Sequence, residues 1–142
     1  MKQLLTTFIL LSFIALAGCS LLPADQAGSG EKDPLKGTAW VLTRLNGELP
    51  VEGTALTLKF EDGTLGGSAG CNSYGGNYEV NADQLTTGEI ASTLMACMDD
   101  GVMKQESLYL AVLGNAQFFT LSESELRISS SDGGELVFAP QE

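Results

Sequence analysis

Asp62-Gly63 separates two runs of strand character, Ala55 to Phe60 and Thr64 to Ala69, and this arrangement constrains the fold more than any other part of the chain. Leu56, Leu58 and Phe60 alternate with Ala55, Thr57 and Lys59, the two-residue period of a strand with one face buried. Asp-Gly supplies the positive φ that a tight hairpin requires. The same grammar recurs along the chain. Thr38 to Leu45 is rich in Trp, Val, Leu and Thr and runs into the turn Asn46-Gly47, and Gly76 to Val80 and Leu85 to Ile90 read as short strands. Phe118 to Ser122, Glu125 to Ser129 and Glu135 to Ala139 read as three more, with Asp132-Gly133-Gly134 closing the last pair. Between Asp99 and Asn115 the period changes. Val102, Glu106, Tyr109 and Leu113 share one helical stripe with Met103 and Leu110 beside it, and Asp99 and Asp100 suit the positive end of the helix dipole. A mainly β fold of antiparallel strands with one packed α-helix is expected. Trp40, Leu56, Leu58, Phe60, Leu126, Ile128, Leu136 and Phe138 are the large inward candidates, and they predict a filled core.

The first 18 residues have the parts of an export signal: Lys2, an apolar stretch from Leu4 to Ala17, and small residues before a cut. As a helix this stretch is about 21 Å long, short of the roughly 30 Å hydrocarbon core. Leu16-Ala17-Gly18 is followed directly by Cys19, a pattern that resembles the bacterial lipobox. That resemblance implies cleavage before Cys19, with its thiol linked to diacylglycerol and its new amine open to acylation. Residues 19–36 hold Pro23, Gly28, Ser29, Gly30 and Pro34 without apolar periodicity, and they read as a flexible tether. Residues 37–140 are then the single folded domain.

With Cys19 assigned to lipid, Cys71 and Cys97 remain as an even pair in an exported, oxidising setting. A disulfide between them is expected; two free buried thiols are the alternative. A formal charge of -11 argues against a nucleic-acid partner and against a basic membrane-binding surface. The chain has no histidine, which removes Ser-His-Asp and Cys-His catalysis and every histidine metal site. Gly66-Gly67-Ser68-Ala69-Gly70 meets the letter of a nucleophile elbow but lacks the strand-to-helix context and the later His. Met95, Cys97, Met98 and Met103 are soft donors that could suit copper(I), but a Cys97 disulfide would remove the only thiolate, and core packing is the preferred reading. No catalytic residue, metal ligand or cofactor is expected.

The run from Gly66 to Tyr78 places five glycines across two strand candidates, where close backbone approach, a bulge or positive φ must compensate for lost burial. Asn72 and Asn77 are candidates for left-handed turn positions. Gly70, Cys71, Asn72, Tyr74, Gly76 and Tyr78, followed by Thr93, Met95 and Cys97 and then by an acidic-led helix with Tyr109 and Leu113, resemble the META domain family, also called HslJ-like. The likeness runs from about Leu35 to Ala139. It implies a small antiparallel β-barrel of lipocalin-like outline with a helix packed on it, and it implies that Cys71 and Cys97 are neighbours. Family members are associated with the bacterial envelope, heat stress and novobiocin tolerance, without an assigned catalytic role.

Together these features predict a lipid-anchored, noncatalytic bacterial envelope protein that serves protein interaction or stress tolerance. Its partners would be the membrane, through Cys19, and an envelope protein. Ser20 after the lipidated cysteine favours the periplasmic face of the outer membrane if the source is Gram-negative. A barrel holding a small apolar ligand and an inhibitor of an exported hydrolase are the alternatives.

Overall fold

The computed structural model describes residues 32–142, so the leader assigned to residues 1–18, Cys19 and most of the 19–36 tether lie outside the described residues. Within the described stretch the elements are β1 (Ala39–Leu45), β2 (Thr57–Phe60), β3 (Thr64–Ser68), β4 (Ser73–Asn81), β5 (Gln84–Thr87), β6 (Ala91–Ser92), α1 (Asp100–Gly114), β7 (Ala116–Leu121), β8 (Leu126–Ser130) and β9 (Glu135–Pro140). All pairings are antiparallel. The order β3-β2-β1-β9-β8-β7-β5-β4 closes on itself because β3 also pairs with β4. The domain is therefore a closed eight-stranded barrel with one helix: antiparallel strands and a single helix follow the residue pattern, and the barrel is what the family resemblance implies.

An eight-stranded barrel is just wide enough for side chains to fill it. All eight expected inward residues are buried, and Leu58, Leu126, Ile128 and Leu136 have no exposed surface. Burying each such side chain stabilises the fold by roughly 1.5–3 kcal/mol relative to exposure.

Three local expectations are corrected. Leu85 to Ile90 is not one strand: β5 ends at Thr87 opposite Tyr78, and β6 begins with Ala91 opposite Gly75. Between those pairs the β5–β6 side is one residue longer than β4, so the extra residue breaks the ladder as a bulge does. The left-handed non-glycine residues are Asn46 (φ 50°) and Ala82 (φ 56°), not Asn72 or Asn77. Asn77 lies within β4, where pairing with Thr64 holds it extended, and Asn72 is committed elsewhere. Lastly, Leu35 is 0% exposed and Asp33 accepts a hydrogen bond from the Tyr78 hydroxyl, so both belong to the barrel although composition assigns them to the tether.

The two barrel ends are closed differently. At one end Leu35 is buried, and the Gly37 N–H donates to the Phe60 carbonyl (2.9 Å). Thr38 Oγ1 donates to the Leu35 carbonyl (2.6 Å) and accepts from Trp40 Nε1 (2.7 Å). At the other end lies α1, whose partners are Val51 and Thr54 before β2, Asn72 before β4, Thr87 at the end of β5 and Gly134 before β9. The helix thus caps the barrel.

Close approach to a backbone carbonyl explains three of the clustered glycines, Gly66, Gly67 and Gly76, and Gly67 is the tightest. A Cβ at Gly67 would run into the Thr57 carbonyl, backbone that cannot swing aside. Gly67→Ala is expected to lose about 3 kcal/mol of stability through this overpacking. Urea unfolding of the variant checks it, with Gly114→Ala as the control, since a Cβ at Gly114 meets nothing within 4 Å.

Candidate functional site

Asn72 organises the helix-capped end. Only 2% exposed, it lies between β3 and β4, and every polar group of its side chain is used. Its Nδ2 donates to Glu106 Oε1 (2.7 Å) and to the Met95 carbonyl (3.2 Å). Its Oδ1 accepts from Thr93 Oγ1 (2.8 Å) and from the Met95 N–H (2.7 Å). Its backbone N–H donates to Glu106 Oε2 (2.7 Å). One residue therefore ties the β3–β4 turn, the segment after β6 and α1 into a single network.

Beside it Cys71 and Cys97 form a disulfide, with Cα atoms 6.2 Å apart. The expected pairing is thus present, and it holds the far end of the segment that Asn72 grips in the middle. Asp99 then caps α1, its Oδ1 accepting from the N–H groups of Gly101 (2.7 Å) and Val102 (3.3 Å). A segment held through its backbone, a disulfide and a cap leaves its side chains free. Leu94 is 95% exposed and Met98 fully so, with Met95 more than half exposed. Met95 and Met98 are therefore not core side chains, contrary to their sequence reading, and only Met103 is partly covered.

Between this segment and α1 runs an open cleft of about 420 Å³. Leu94, Met103, Ser107 and Leu110 line it together with Asn72 and Glu106. Glu106 is 6% exposed, and among the described residues no Lys or Arg forms an ion pair with it. Isolated carboxylates in low dielectric are costly unless hydrogen bonds compensate. Here the two Asn72 donors do so.

Deeper in the barrel, the Tyr74 hydroxyl donates to the Thr57 carbonyl (2.8 Å) and lies 2.6 Å from the Tyr109 hydroxyl, which donates to it in turn. The rings of Tyr74 and Tyr109 meet edge to face, as do those of Tyr109 and Phe138. Burial pushes both phenols well above their ordinary range; charge on Tyr74 raises Tyr109 further, while its hydrogen bond from Tyr109 partly offsets the shift at Tyr74. Tyr78 is raised too, by burial and then by Asp33. These are all three tyrosines of the chain. An unfolded phenol ionises near pH 10, so the folded state binds more protons above that pH and its stability falls as pH rises. Phenolate absorbance is expected to stay low past pH 10 and then to appear in one step with loss of the fold. Gradual ionisation of folded protein near pH 10 would contradict these environments.

The residues singled out in the sequence thus divide between two places. Gly70 (φ +105°), Cys71, Asn72, Thr93, Met95 and Cys97 converge at the helix-capped end, with Tyr74 just beneath. Gly76 lies in mid-strand, where a Cβ would come within 2.9 Å of the Glu89 carbonyl. Tyr78 is at the opposite end, donating to Asp33 and to the Glu61 carbonyl (2.8 Å). Sequence reasoning missed Glu106 and Gln105. The signal for Glu106 was an acid on the apolar stripe of Val102, Tyr109 and Leu113. Gln105, which accepts from the Val51 N–H (2.6 Å) and donates to Thr54 Oγ1 (3.1 Å), gave no signal.

Comparison with known proteins places this architecture. An NMR structure of a protein from Burkholderia xenovorans is similar, with 25% identity and a TM-score of 0.63 over 75% of this chain and 83% of that one. A crystal structure of a DUF4847 family protein from Bacteroides vulgatus shares the fold at 15% identity and a TM-score of 0.57, covering 75% of this chain and 94% of that one. No curated protein matches by sequence. The family model described as META domain matches residues 33–142, starting two residues before the buried Leu35 and spanning barrel, disulfide and helix, and the chain belongs to the META domain family.

Proposed function

We propose that this chain is a lipid-anchored, noncatalytic envelope protein whose barrel presents the disulfide-held Thr93–Met98 segment to a protein partner. The observation that carries the reading is the pairing of a filled barrel with exposed apolar side chains at Leu94 and Met98. Scattered exposed apolar residues need no explanation, but here a disulfide, a helix cap and a buried asparagine hold adjacent ones outward beside a cleft. A ligand inside the barrel has less support, because Leu58, Leu126, Ile128 and Leu136 are fully buried side chains that fill its interior. The anchor reading rests on the Leu16-Ala17-Gly18-Cys19 pattern, and an HslJ-like part in envelope stress tolerance rests on the family resemblance.

Photo-crosslinking from position 94 in intact envelopes, compared with exposed position 120 on β7, tests the partner. A discrete protein adduct at 94 and none at 120 is expected. Adducts alike at both positions, or a copurified lipid or metabolite without protein, would overturn the reading. In the same cells Cys19→Ser is expected to leave the precursor unacylated, read as loss of lipid label and a heavier, uncleaved chain.

A further inference from the structure

The backbone of the exposed segment points to the way a partner is held, an inference that rests on the partner-binding reading above. The Thr93 N–H donates to the Ser73 carbonyl (3.0 Å). The Met95 N–H and carbonyl are both taken by the Asn72 side chain. Polar groups two residues apart therefore face the barrel, continuing the ladder in which Ala91 and Ser92 pair with Gly75 and Tyr74. In an extended run the intervening residue turns its N–H and C=O the other way. Among the described residues the backbone groups of Leu94 and Ala96 have no hydrogen-bond partner, and Leu94 is 95% exposed. An open edge of this kind is a template for another strand.

Charge decides what that strand carries. The cleft beside the edge contains the buried Glu106 carboxylate and no Lys or Arg. Asn72 occupies two acceptor positions on Glu106, and a carboxylate offers about four. Asp99 and Asp100 add negative charge at the start of α1, in a chain of net charge -11. Leu94, Met103 and Leu110 supply apolar walls. We propose that this cleft is a strand-addition site: an extended polypeptide segment pairs its backbone with Leu94 and Ala96, places a Lys or Arg side chain against Glu106, and rests the apolar residues two positions to either side, which share its face, on those walls. Backbone pairing supplies affinity in this mode, and side-chain pockets supply specificity.

Fluorescence polarisation of a labelled, capped peptide, Val-Thr-Arg-Thr-Val, binding to the full acylated protein in detergent micelles tests this. Replacing its Arg by norleucine is expected to weaken binding about tenfold, and added salt to weaken only the Arg peptide. Leu94→Pro removes the edge N–H without touching the Asn72 bonds and is expected to abolish binding, whereas Leu94→Ala keeps the N–H and weakens binding only severalfold. Equal affinity of the Arg and norleucine peptides, or of the Pro and Ala variants, would overturn the inference. A protein adduct from position 94 in envelopes together with no peptide binding would also overturn strand addition, while leaving the partner-binding reading intact. Absence of both would remove both.

Discussion

Asn72→Asp is expected to destabilise the domain by about 3–5 kcal/mol, the range for leaving a buried charge uncompensated. The carboxylate oxygen introduced in place of Nδ2 would face Glu106 Oε1 at hydrogen-bond distance with no proton between them, and the Met95 carbonyl would lose its donor. Charge repulsion and unmet hydrogen bonds then act together at a site with almost no access to water. Urea unfolding at neutral pH reads the loss. Glu106→Gln added to the same variant is expected to restore about half of it, because the new amide can donate to the introduced carboxylate while its oxygen still accepts from the backbone N–H at position 72. A double variant no more stable than Asn72→Asp alone would show that the network is not organised around this pair.

Replacing Cys71 and Cys97 together by serine is expected to cost about 3.5 kcal/mol, the loop-entropy value for a closure of this length. That cost arises largely in the unfolded chain, which regains the freedom of the closed loop. A second consequence is local: the Thr93–Met98 segment keeps its grip on Asn72 but loses its far attachment. Proteolysis is then expected to cut first within this segment in the variant and in reduced wild-type protein. A stability loss below about 1 kcal/mol would mean that strain in the bridge offsets the entropic gain. First cleavage elsewhere would mean that Asn72 and the Asp99 cap suffice to hold the segment.

Strands and helix were legible because their signals are local. Leu56, Leu58 and Phe60 alternate, Asp62-Gly63 turns the chain, and the helix reading from Asp99 to Asn115 matches the observed N-cap, helix and C-cap. Barrel closure was not local. It depends on β3 meeting β4 across glycines whose spacing carries no hydrophobic period, and there the family resemblance supplied what periodicity could not. The site was half legible. Gly70, Asn72, Thr93 and Met95 stood out as a motif, but what they do depends on Glu106, 34 residues beyond Asn72, and a lone acid on an apolar stripe does not name its partner. Met95 and Met98 were misread for a related reason. Apolar side chains imply burial only where backbone and neighbours leave them free to turn inward, and here backbone bonds and a disulfide decide first. The inner edge of the tether failed through composition, since Asp33 and Leu35 sit between Lys32 and Lys36 in polar company yet complete the barrel.

The different closures of the two barrel ends give the chain separate optical reporters. Its single tryptophan, Trp40, is buried where Thr38 and Leu35 close one end, and the coupled phenols of Tyr74 and Tyr109 lie under the helix at the other. Tyr78 lies at the tryptophan's own end, so in a Tyr78→Phe variant tryptophan emission and tyrosine absorbance follow opposite poles of one molecule without any added label. If barrel and helix melt as a unit, the two denaturation curves coincide. If the helix lifts first, the tyrosine signal moves while the tryptophan signal stays in place, and the stability of each pole can be measured by itself.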